Sequence, residues 1–212
     1  MLNFDRLDAA AVSNEPFPYV ILPGFVRSES RSAIESDFPA IERAGSFPLA
    51  SLSYGPTFRR LIEQLSGEQM RAIVAKKFDL DLKNKPVMVT VRGMCAVRDG
   101  KIHTDSTSKL VTILLYINRN WECASARLRL LRSRDNLEDF AAEVPPEEGT
   151  LVAFRNGPQA WHGFAPFHGQ RRVIQVNWVT DNSVVSREQA RHRVSAFFKR
   201  LLAPSKAHAA QH

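Results

Sequence analysis

The chain has 212 residues, of which 44% are hydrophobic and 24% charged, a composition typical of a globular domain and not of a disordered or fibrous protein. Its 29 Lys and Arg residues exceed its 22 Asp and Glu residues, and the net charge of +7 fits either an acidic partner or a solvated basic face. The two cysteines exclude a disulfide framework, and the lack of a signal-peptide pattern or a membrane-length apolar run predicts a reduced, cytoplasmic protein with no membrane span.

Residues 1–85 are predicted to be mostly helical and to buttress the rest of the chain. Four apolar residues recur at the spacing of one helical face, which predicts a first long helix: Phe58, Leu61, Ile62 and Leu65. Ser66 and Gln69 match a capping box at the start of a second helix. The segment "PYVIL" at 18–22 is typical of a short strand. A dimerisation surface is the alternative role for this half.

From about residue 86 the pattern changes to strands. Alternating or β-branched runs occur in "VMVTV", "KLVTILLYI", "RLRLL", "TLVAF" and "RRVIQVNWV", with no helical pattern between them. Such spacing predicts an antiparallel sandwich or barrel over residues 86–180. A final helix is expected at 186–202 and a flexible tail at 203–212. We therefore expect a single domain over residues 1–212 that is mainly β with flanking helices.

The segment "KIHTD" places His103 and Asp105 two residues apart. On a strand, residues with this spacing point to the same face, so an imidazole and a carboxylate could hold one metal ion. His162, at the end of a later predicted strand, would complete a set of two histidines and one carboxylate. That set is typical of non-haem Fe(II), because it leaves coordination positions open. An HxD pair also arises by chance, and the residues alone leave this alternative open.

Arg171 and Arg172 are adjacent on a predicted strand and should therefore face opposite ways. Arg172 falls on the apolar face, which should pack against the helices. Arg171 falls on the more polar face, with Gln175 and Asn177, as expected of a pocket lining. A guanidinium there could hold a carboxylate through two parallel hydrogen bonds. A surface salt bridge is the other interpretation of Arg171.

Taken together, these segments resemble the 2-oxoglutarate- and Fe(II)-dependent dioxygenases, specifically their prolyl-hydroxylase-like branch. The matching pieces are "HTDS", "VTILLYINRNW", "RLRLL", "VPPEEGTLVAF", "WHGFAP" and "GQRRVIQVNWV", in that order. They lie within residues 86–180, with a weaker similarity at "PFPYVILPGFV". The resemblance implies a double-stranded β-helix (jelly-roll) core with helices packed on one side.

The resemblance also implies roles for individual residues. The iron ligands, and with them the catalytic centre, would be His103, Asp105 and His162. Arg171 would bind the distal carboxylate of 2-oxoglutarate, and Tyr116 would hydrogen-bond the same group. Without the resemblance Tyr116 would be a core aromatic. A one-residue change of strand register would exchange Arg171 for Arg172.

The chain departs from the family pattern in one loop. The family usually has a Gly-Gly pair before the "LRL" strand, where this chain has Ser125 and Ala126. A turn that needs a positive φ would be strained with these residues. The loop at 121–127, and substrate entry with it, is therefore in question, whereas the predicted metal ligands are not affected.

The implied enzyme is a 2-oxoglutarate-dependent dioxygenase of the hydroxylase type. It would use Fe(II), 2-oxoglutarate and O2, with ascorbate as an optional addition, and would hydroxylate an unactivated C–H bond while 2-oxoglutarate is decarboxylated to succinate. Two alternatives stay open: a jelly-roll binding protein without turnover, and a cupin-type metal enzyme that does not use 2-oxoglutarate.

The substrate is expected to be a small molecule or a protein side chain, and the sequence does not choose between them. Five basic residues of the β-rich half could favour an anionic substrate, or could simply be solvated strand edges: Arg92, Lys109, Arg127, Arg129 and Arg155. A nucleic-acid substrate is disfavoured because no stretch interleaves basic and aromatic residues as a stacking platform does. The oligomeric state is left open.

Overall fold

The computed structural model of the protein describes residues 1–187. The helices are α1 (Phe4–Ala9), α2 (Ser28–Ser36), α3 (Pro56–Ser66) and α4 (Glu68–Phe78), with 3-10 turns at Leu49–Ser51 and Val97–Gly100. The strands are β1 (Tyr19–Leu22), β2 (Phe47–Pro48), β3 (Val87–Cys95), β4 (Lys109–Tyr116), β5 (Leu128–Leu131), β6 (Phe140–Val144), β7 (Leu151–Arg155), β8 (His162–Gly163) and β9 (Gly169–Val179). Residues 182–187 are helical, and the rest of the helix predicted at 186–202 and the tail predicted at 203–212 lie outside the described residues.

The strands form two antiparallel sheets. The major sheet has six strands in the order β1-β7-β4-β9-β3-β2, and the minor sheet has three in the order β6-β5-β8. Each pairing between these strands is antiparallel, as expected for strands that follow one another without helical crossovers. The predicted class, mainly β with flanking helices, is confirmed.

The two faces of the major sheet have different surroundings because side chains alternate along each strand. On β4 and β9, one set of alternating residues packs into the hydrophobic cluster shared with the helices: Val111, Ile113, Leu115, Ile174, Val176 and Trp178. The opposite face of the same strands carries Thr112, Tyr116, Arg171 and Asn177. These polar side chains are buried, so the second face lines an interior space between the sheets.

Helices α3 and α4 cover the first face. In α3, Phe58, Leu61, Ile62 and Leu65 are all buried, which confirms the helix predicted from their spacing. The predicted capping box at the start of α4 is wrong: the helix is preceded by Gly67, while Ser66 ends α3. The Ser66 hydroxyl donates to the carbonyl of Ile62 at 2.7 Å. Its side chain therefore hydrogen-bonds the backbone of α3 and does not cap α4.

The first 85 residues also supply both edge strands of the major sheet. β1, predicted from "PYVIL", pairs with β7 at one edge, and β2 pairs with β3 at the other. One continuous hydrophobic cluster runs from Leu2 to Trp178 and includes the buried faces of the helices. The single domain expected over residues 1–212 stays a prediction.

Candidate active site

The segment that carries His103 runs extended beside β8 and is not a regular strand. The His103 N–H donates to the His162 carbonyl, and the His162 N–H donates to the His103 carbonyl, both at 3.0 Å. Two residues further along, the Phe164 N–H donates to the Gly100 carbonyl at 2.9 Å. This short ladder replaces the predicted strand and brings the two imidazole rings to a centroid distance of 4.3 Å.

The structure brings the three predicted metal ligands together. One ligand atom from each of His103, Asp105 and His162 lies within 4.8 Å of the others, and no other group of this kind occurs in residues 1–187. His103 is exposed, Asp105 is half-buried and His162 is buried. The cluster is thus reached from the solvent on the His103 side.

Both histidines are oriented by hydrogen bonds from the ring nitrogen that points away from the cluster. His103 Nδ1 lies 2.8 Å from the Lys101 carbonyl, and His162 Nδ1 lies 2.9 Å from the Ala160 carbonyl. A carbonyl only accepts, so each Nδ1 carries the proton. Each Nε2 then keeps a lone pair, which is the form that binds a metal.

His162 is held in its neutral form. Burial lowers the pKa of its imidazole to about 4, and the neighbouring His103 acts in the same direction, while Asp105 opposes the shift. At neutral pH the ring is therefore uncharged. A metal ion would not have to displace a proton from it.

Asp105 is held as a carboxylate by its neighbours. Burial raises the pKa of its carboxyl, but the charge of Lys109, the nearby His162 imidazole and the hydrogen bonds from Lys109 and Thr112 outweigh that effect and lower it. Lys109 Nζ lies 2.6 Å from Oδ1, and the Thr112 hydroxyl donates to Oδ2 at 2.6 Å. Asn156 and Asn177 in turn donate to the Thr112 hydroxyl oxygen at 2.9 and 2.7 Å.

Arg171 is buried on the same face of the major sheet, with 4% of its surface exposed. Its Nε donates to the Ala126 carbonyl at 3.0 Å, and its Nη2 donates to the Tyr116 hydroxyl oxygen at 3.2 Å. The guanidinium carbon lies 4.3 Å from the centroid of the Phe164 ring. Two hydrogen bonds and an aromatic face thus fix a positive charge inside the space between the sheets.

Tyr116 is fully buried beside that charge. Burial raises the pKa of its phenol, and the charge of Arg171 opposes the shift without reversing it. The phenol therefore keeps its proton at neutral pH. Because its oxygen accepts from Arg171, its O–H remains able to donate to an acceptor such as a carboxylate.

Arg172 points to the other side of the sheet. Its Nη1 donates to the carboxylate of Glu35 on α2 at 3.2 Å, and its guanidinium lies 5.3 Å from the ring centroid of Phe38. The predicted facing of the two arginines is confirmed. The register shift that would have exchanged them does not occur.

Comparison with known proteins adds a family match to this geometry. Residues 94–180, less than half of the chain, match the model of the 2OG-Fe(II) oxygenase superfamily. None of the curated proteins compared with it matches the sequence. The family match confirms the predicted enzyme class, a 2-oxoglutarate-dependent dioxygenase, and the predicted jelly-roll core.

Three solved structures illustrate proteins with a similar fold. One is a prolyl-4-hydroxylase from Pseudomonas putida (TM-score 0.54, 16% sequence identity, 84% of this chain and 97% of that one). A second is a prolyl hydroxylase from Trichoplax adhaerens in complex with a hypoxia-inducible factor oxygen degradation domain peptide fragment. Its TM-score is 0.51 and its sequence identity 13%, and the match covers 88% of this chain and 89% of that one. A third is HygX from Streptomyces hygroscopicus with nickel and 2-oxoglutarate bound. Its TM-score is 0.51 and its sequence identity 16%, and the match covers 76% of this chain and 81% of that one. At these identities the likeness establishes the fold that this chain shares with them.

The loop that lacks the family's Gly-Gly pair is strained as predicted. Ala126 has a φ of 61°, in the left-handed region that disfavours a side chain, and it is completely buried. This conformation goes with a specific contact, because the Ala126 carbonyl accepts the hydrogen bond from Arg171 Nε. The oxygenase therefore keeps the backbone shape of a glycine turn without the glycine.

The five basic residues that could have favoured an anionic substrate have partners within the oxygenase. Lys109 pairs with Asp105, Arg92 with Asp99, and both Arg127 and Arg129 with Glu143. Arg155 donates to the Phe78 carbonyl at 3.1 Å. Their charges are therefore largely engaged inside the protein.

Several residues around the centre were not predicted to belong to it: Lys109, Thr112, Asn156, Phe164 and Ala160. Lys109 and Thr112 lie four and seven residues after Asp105 at the start of β4, and Thr112 alternates with the apolar face of that strand. The polar residue types at those two positions were the sequence signal that could have placed Lys109 and Thr112 at the centre. The contacts of Asn156 and of the Ala160 carbonyl depend on loop conformation, which the sequence pattern does not encode.

None of the helices in residues 1–187 combines the length and apolarity that a membrane crossing needs. Cys95 is buried and Cys123 exposed, and both are free thiols.

Proposed function

We propose that this chain is an Fe(II)- and 2-oxoglutarate-dependent hydroxylase with its iron held by His103, Asp105 and His162. Arg171 and Tyr116 would bind the distal carboxylate of 2-oxoglutarate. The observation that carries the proposal is the convergence of three ligand atoms within 4.8 Å, in a chain whose residues 94–180 match the oxygenase family.

The residues present fit an iron ion in their chemistry. Two neutral imidazoles and one carboxylate are the donor set expected of non-haem Fe(II) sites that leave positions open. Both Nδ1 atoms are occupied by backbone carbonyls, so both Nε2 atoms are available. The low pKa of His162 and the lowered pKa of Asp105 keep both groups in their metal-binding forms at neutral pH.

The surroundings of Arg171 likewise fit a carboxylate. A buried guanidinium that is not paired with an acidic side chain of the described residues needs an anion, since burying an unpaired charge is costly. Its hydrogen bonds run to a backbone carbonyl and to the Tyr116 hydroxyl, which leaves its charge uncompensated. A dicarboxylate such as 2-oxoglutarate would supply the missing charge.

Each residue then has a definable task. Bound iron supplies the oxidative chemistry that couples decarboxylation of 2-oxoglutarate by O2 to hydroxylation of a substrate C–H bond. Arg171 and Tyr116 fix the far end of the cosubstrate and so orient its 2-oxo group. Phe164, packed over Arg171, and Phe154, whose ring lies 4.9 Å from that of His162, exclude water from the two ends of the pocket.

The substrate is proposed to be a small molecule or an amino-acid side chain of a protein. A prolyl hydroxylase of similar fold has a peptide fragment bound, which supports the protein side chain as one of these two. The internal pairing of Arg92, Arg127 and Arg129 argues against these residues as a binding surface for an anionic substrate. We also propose a cytoplasmic location, which the two free thiols support.

The test is anaerobic titration of the Fe(II)-loaded protein with 2-oxoglutarate, followed by the visible charge-transfer absorption of a metal-chelated 2-oxo acid. We expect the band in the wild type and in His168→Ala, since His168 is an exposed histidine outside the cluster. We expect no band in His162→Ala. Loss of one of the three protein ligands should remove metal binding itself.

Two other outcomes would overturn the proposal. If iron binds without producing a band, the pocket is not a 2-oxoglutarate site, and a cupin-type metal enzyme becomes the better account. If the wild type binds no iron, the cluster is structural and a jelly-roll binding protein is favoured.

A further inference from the structure

Lys109 is a buried cation in direct contact with a proposed metal ligand. Its side chain is 18% exposed, and its Nζ lies 2.6 Å from Asp105 Oδ1, whose own side chain is 9% exposed. Thr112 hydrogen-bonds the other oxygen of the same carboxylate. Each carboxylate oxygen can accept two bonds, so both donors can stay in place when a metal ion binds Asp105.

The charges around Asp105 do not favour a bare dication. In the protein without a metal, Lys109 neutralises Asp105. A divalent ion bound to the same carboxylate would be repelled by the ammonium group, because like charges in a poorly hydrated site interact strongly. The charge of Lys109 also lowers the pKa of His162, so its field extends to a second proposed ligand.

A dianionic cosubstrate reverses this balance. A metal dication with Asp105, Lys109 and Arg171 carries a net charge of about +3, and 2-oxoglutarate brings two negative charges to it. The ammonium group that opposes the metal therefore favours the anion, and its effects on the two ligands roughly offset each other when both are bound.

We propose that Lys109 opposes metal binding and favours 2-oxoglutarate binding, so that metal bound without its cosubstrate is disfavoured. This inference rests on the proposed function. It makes Lys109 a positioning residue that acts through Asp105 and through its charge, and it lowers the fraction of metal-loaded sites that lack the cosubstrate.

The experiment is isothermal titration of the metal-free protein with Mn²⁺, a redox-silent stand-in for iron, with and without saturating 2-oxoglutarate. The coupling factor is the ratio of the two Mn²⁺ affinities, and by linkage it equals the factor by which Mn²⁺ changes 2-oxoglutarate affinity. In Lys109→Met we expect Mn²⁺ to bind about tenfold more tightly, and 2-oxoglutarate titrated into the Mn²⁺-loaded protein to bind about tenfold more weakly. The charge of Lys109 acts on each ligand whether or not the other is bound, so the coupling factor should stay close to its wild-type value.

Two further variants separate charge from structure. Lys109→Arg keeps the cation and should keep both affinities. Thr112→Val removes the other hydrogen bond to Asp105 without changing the charge, so it should not tighten Mn²⁺ binding while weakening 2-oxoglutarate binding. If Lys109→Met does not fold, Lys109→Gln takes its place with the same expectation.

The outcomes distinguish this inference from the proposed function. If the wild type binds no Mn²⁺, the proposed metal site fails and the inference fails with it. If the wild type binds Mn²⁺ and 2-oxoglutarate but Lys109→Met leaves both affinities unchanged, the proposed function stands and the role of Lys109 is structural. The same pair of opposite affinity changes in Thr112→Val would also overturn the inference.

Discussion

His103 and His162 are joined by a pair of reciprocal backbone hydrogen bonds, each N–H donating to the other residue's carbonyl at 3.0 Å. The two proposed metal ligands are therefore positioned by the main chain as well as by their rings. The adjoining hydrogen bond, from the Phe164 N–H to the Gly100 carbonyl, requires close approach of the two segments. A Cβ on Gly100 would lie 2.3 Å from the Phe164 carbonyl oxygen and 2.7 Å from Cδ2 of its ring.

The close contact between the Gly100 and Phe164 segments predicts that Gly100→Ala separates the two histidines. Overpacking against backbone cannot be relieved by a side-chain rotation, so we expect a loss of about 2 kcal/mol or more in the free energy of unfolding. Mn²⁺ affinity should fall as well. Denaturant unfolding and calorimetric titration of the same preparation measure the two effects.

Gly157 provides the matched control, since a Cβ there would meet nothing within 4 Å. Gly157→Ala should leave both stability and metal affinity close to the wild-type values. A Gly100→Ala protein that binds Mn²⁺ as tightly as Gly157→Ala would show that this contact does not position the centre.

The adjacent arginines of β9 predict opposite consequences for the same substitution. Arg171→Met should weaken 2-oxoglutarate binding by about 2 kcal/mol or more, roughly thirtyfold, because it removes the buried cation that the anion would pair with. Arg172→Met should leave this affinity unchanged. It should cost less than about 1 kcal/mol of stability through loss of the half-exposed ion pair with Glu35.

Titration of the Mn²⁺-loaded variants with 2-oxoglutarate separates the two cases. The proposed carboxylate site would be in the wrong place if Arg172→Met lost cosubstrate affinity, or if Arg171→Met kept it while remaining folded.

The left-handed residue at 126 predicts a stabilising substitution. Alanine with a φ of 61° costs about 1 kcal/mol relative to glycine, partly offset by the greater freedom that glycine has in the unfolded chain. Ala126→Gly should therefore raise the free energy of unfolding by a few tenths to about 1 kcal/mol.

Ala142 on β6 serves as the comparison, because its strand conformation needs no glycine. Ala142→Gly should destabilise by about 0.5–1 kcal/mol. Thermal or denaturant unfolding of the two variants tests the difference in sign, and a destabilised Ala126→Gly would contradict the assigned strain.

The long elements of this fold could be predicted because their patterns are strong. Four buried residues on α3 and the alternation along β4 and β9 are driven by burial, which sequence periodicity records directly. The two-residue strand β2 has no such pattern, since its place is set by its pairing with β3. The start of α4 was mispredicted because Ser66 hydrogen-bonds backward to Ile62, a choice that depends on the neighbouring helix.

The candidate site also contains features that the sequence could predict and features that it could not. Residue types and spacing brought His103, Asp105 and His162 together in prediction, and alternation separated Arg171 from its neighbour. Contacts made by a loop carbonyl or by a side chain from another strand were not predictable. Their positions depend on tertiary packing and leave no periodic trace in the sequence.

The buried histidine predicts a pH dependence of stability in the protein without metal. The pKa of His162 is about 4 in the folded state, against about 6.5 for a free imidazole. At pH values between these two pKa values, the His162 imidazole is protonated in the unfolded chain and neutral in the folded protein. The free energy of unfolding therefore falls as the pH drops through this window, by about 3 kcal/mol in total for this one group.

Unfolding by urea at several pH values between 7 and 4, with a chelator present, measures the slope. His162→Gln removes the titrating group and should flatten the profile, whereas His168→Gln, which alters an exposed imidazole, should keep the wild-type slope. Other titrating groups contribute equally to both variants, so the difference between their profiles isolates His162. An identical slope in the two variants would mean that burial of His162 does not control acid stability.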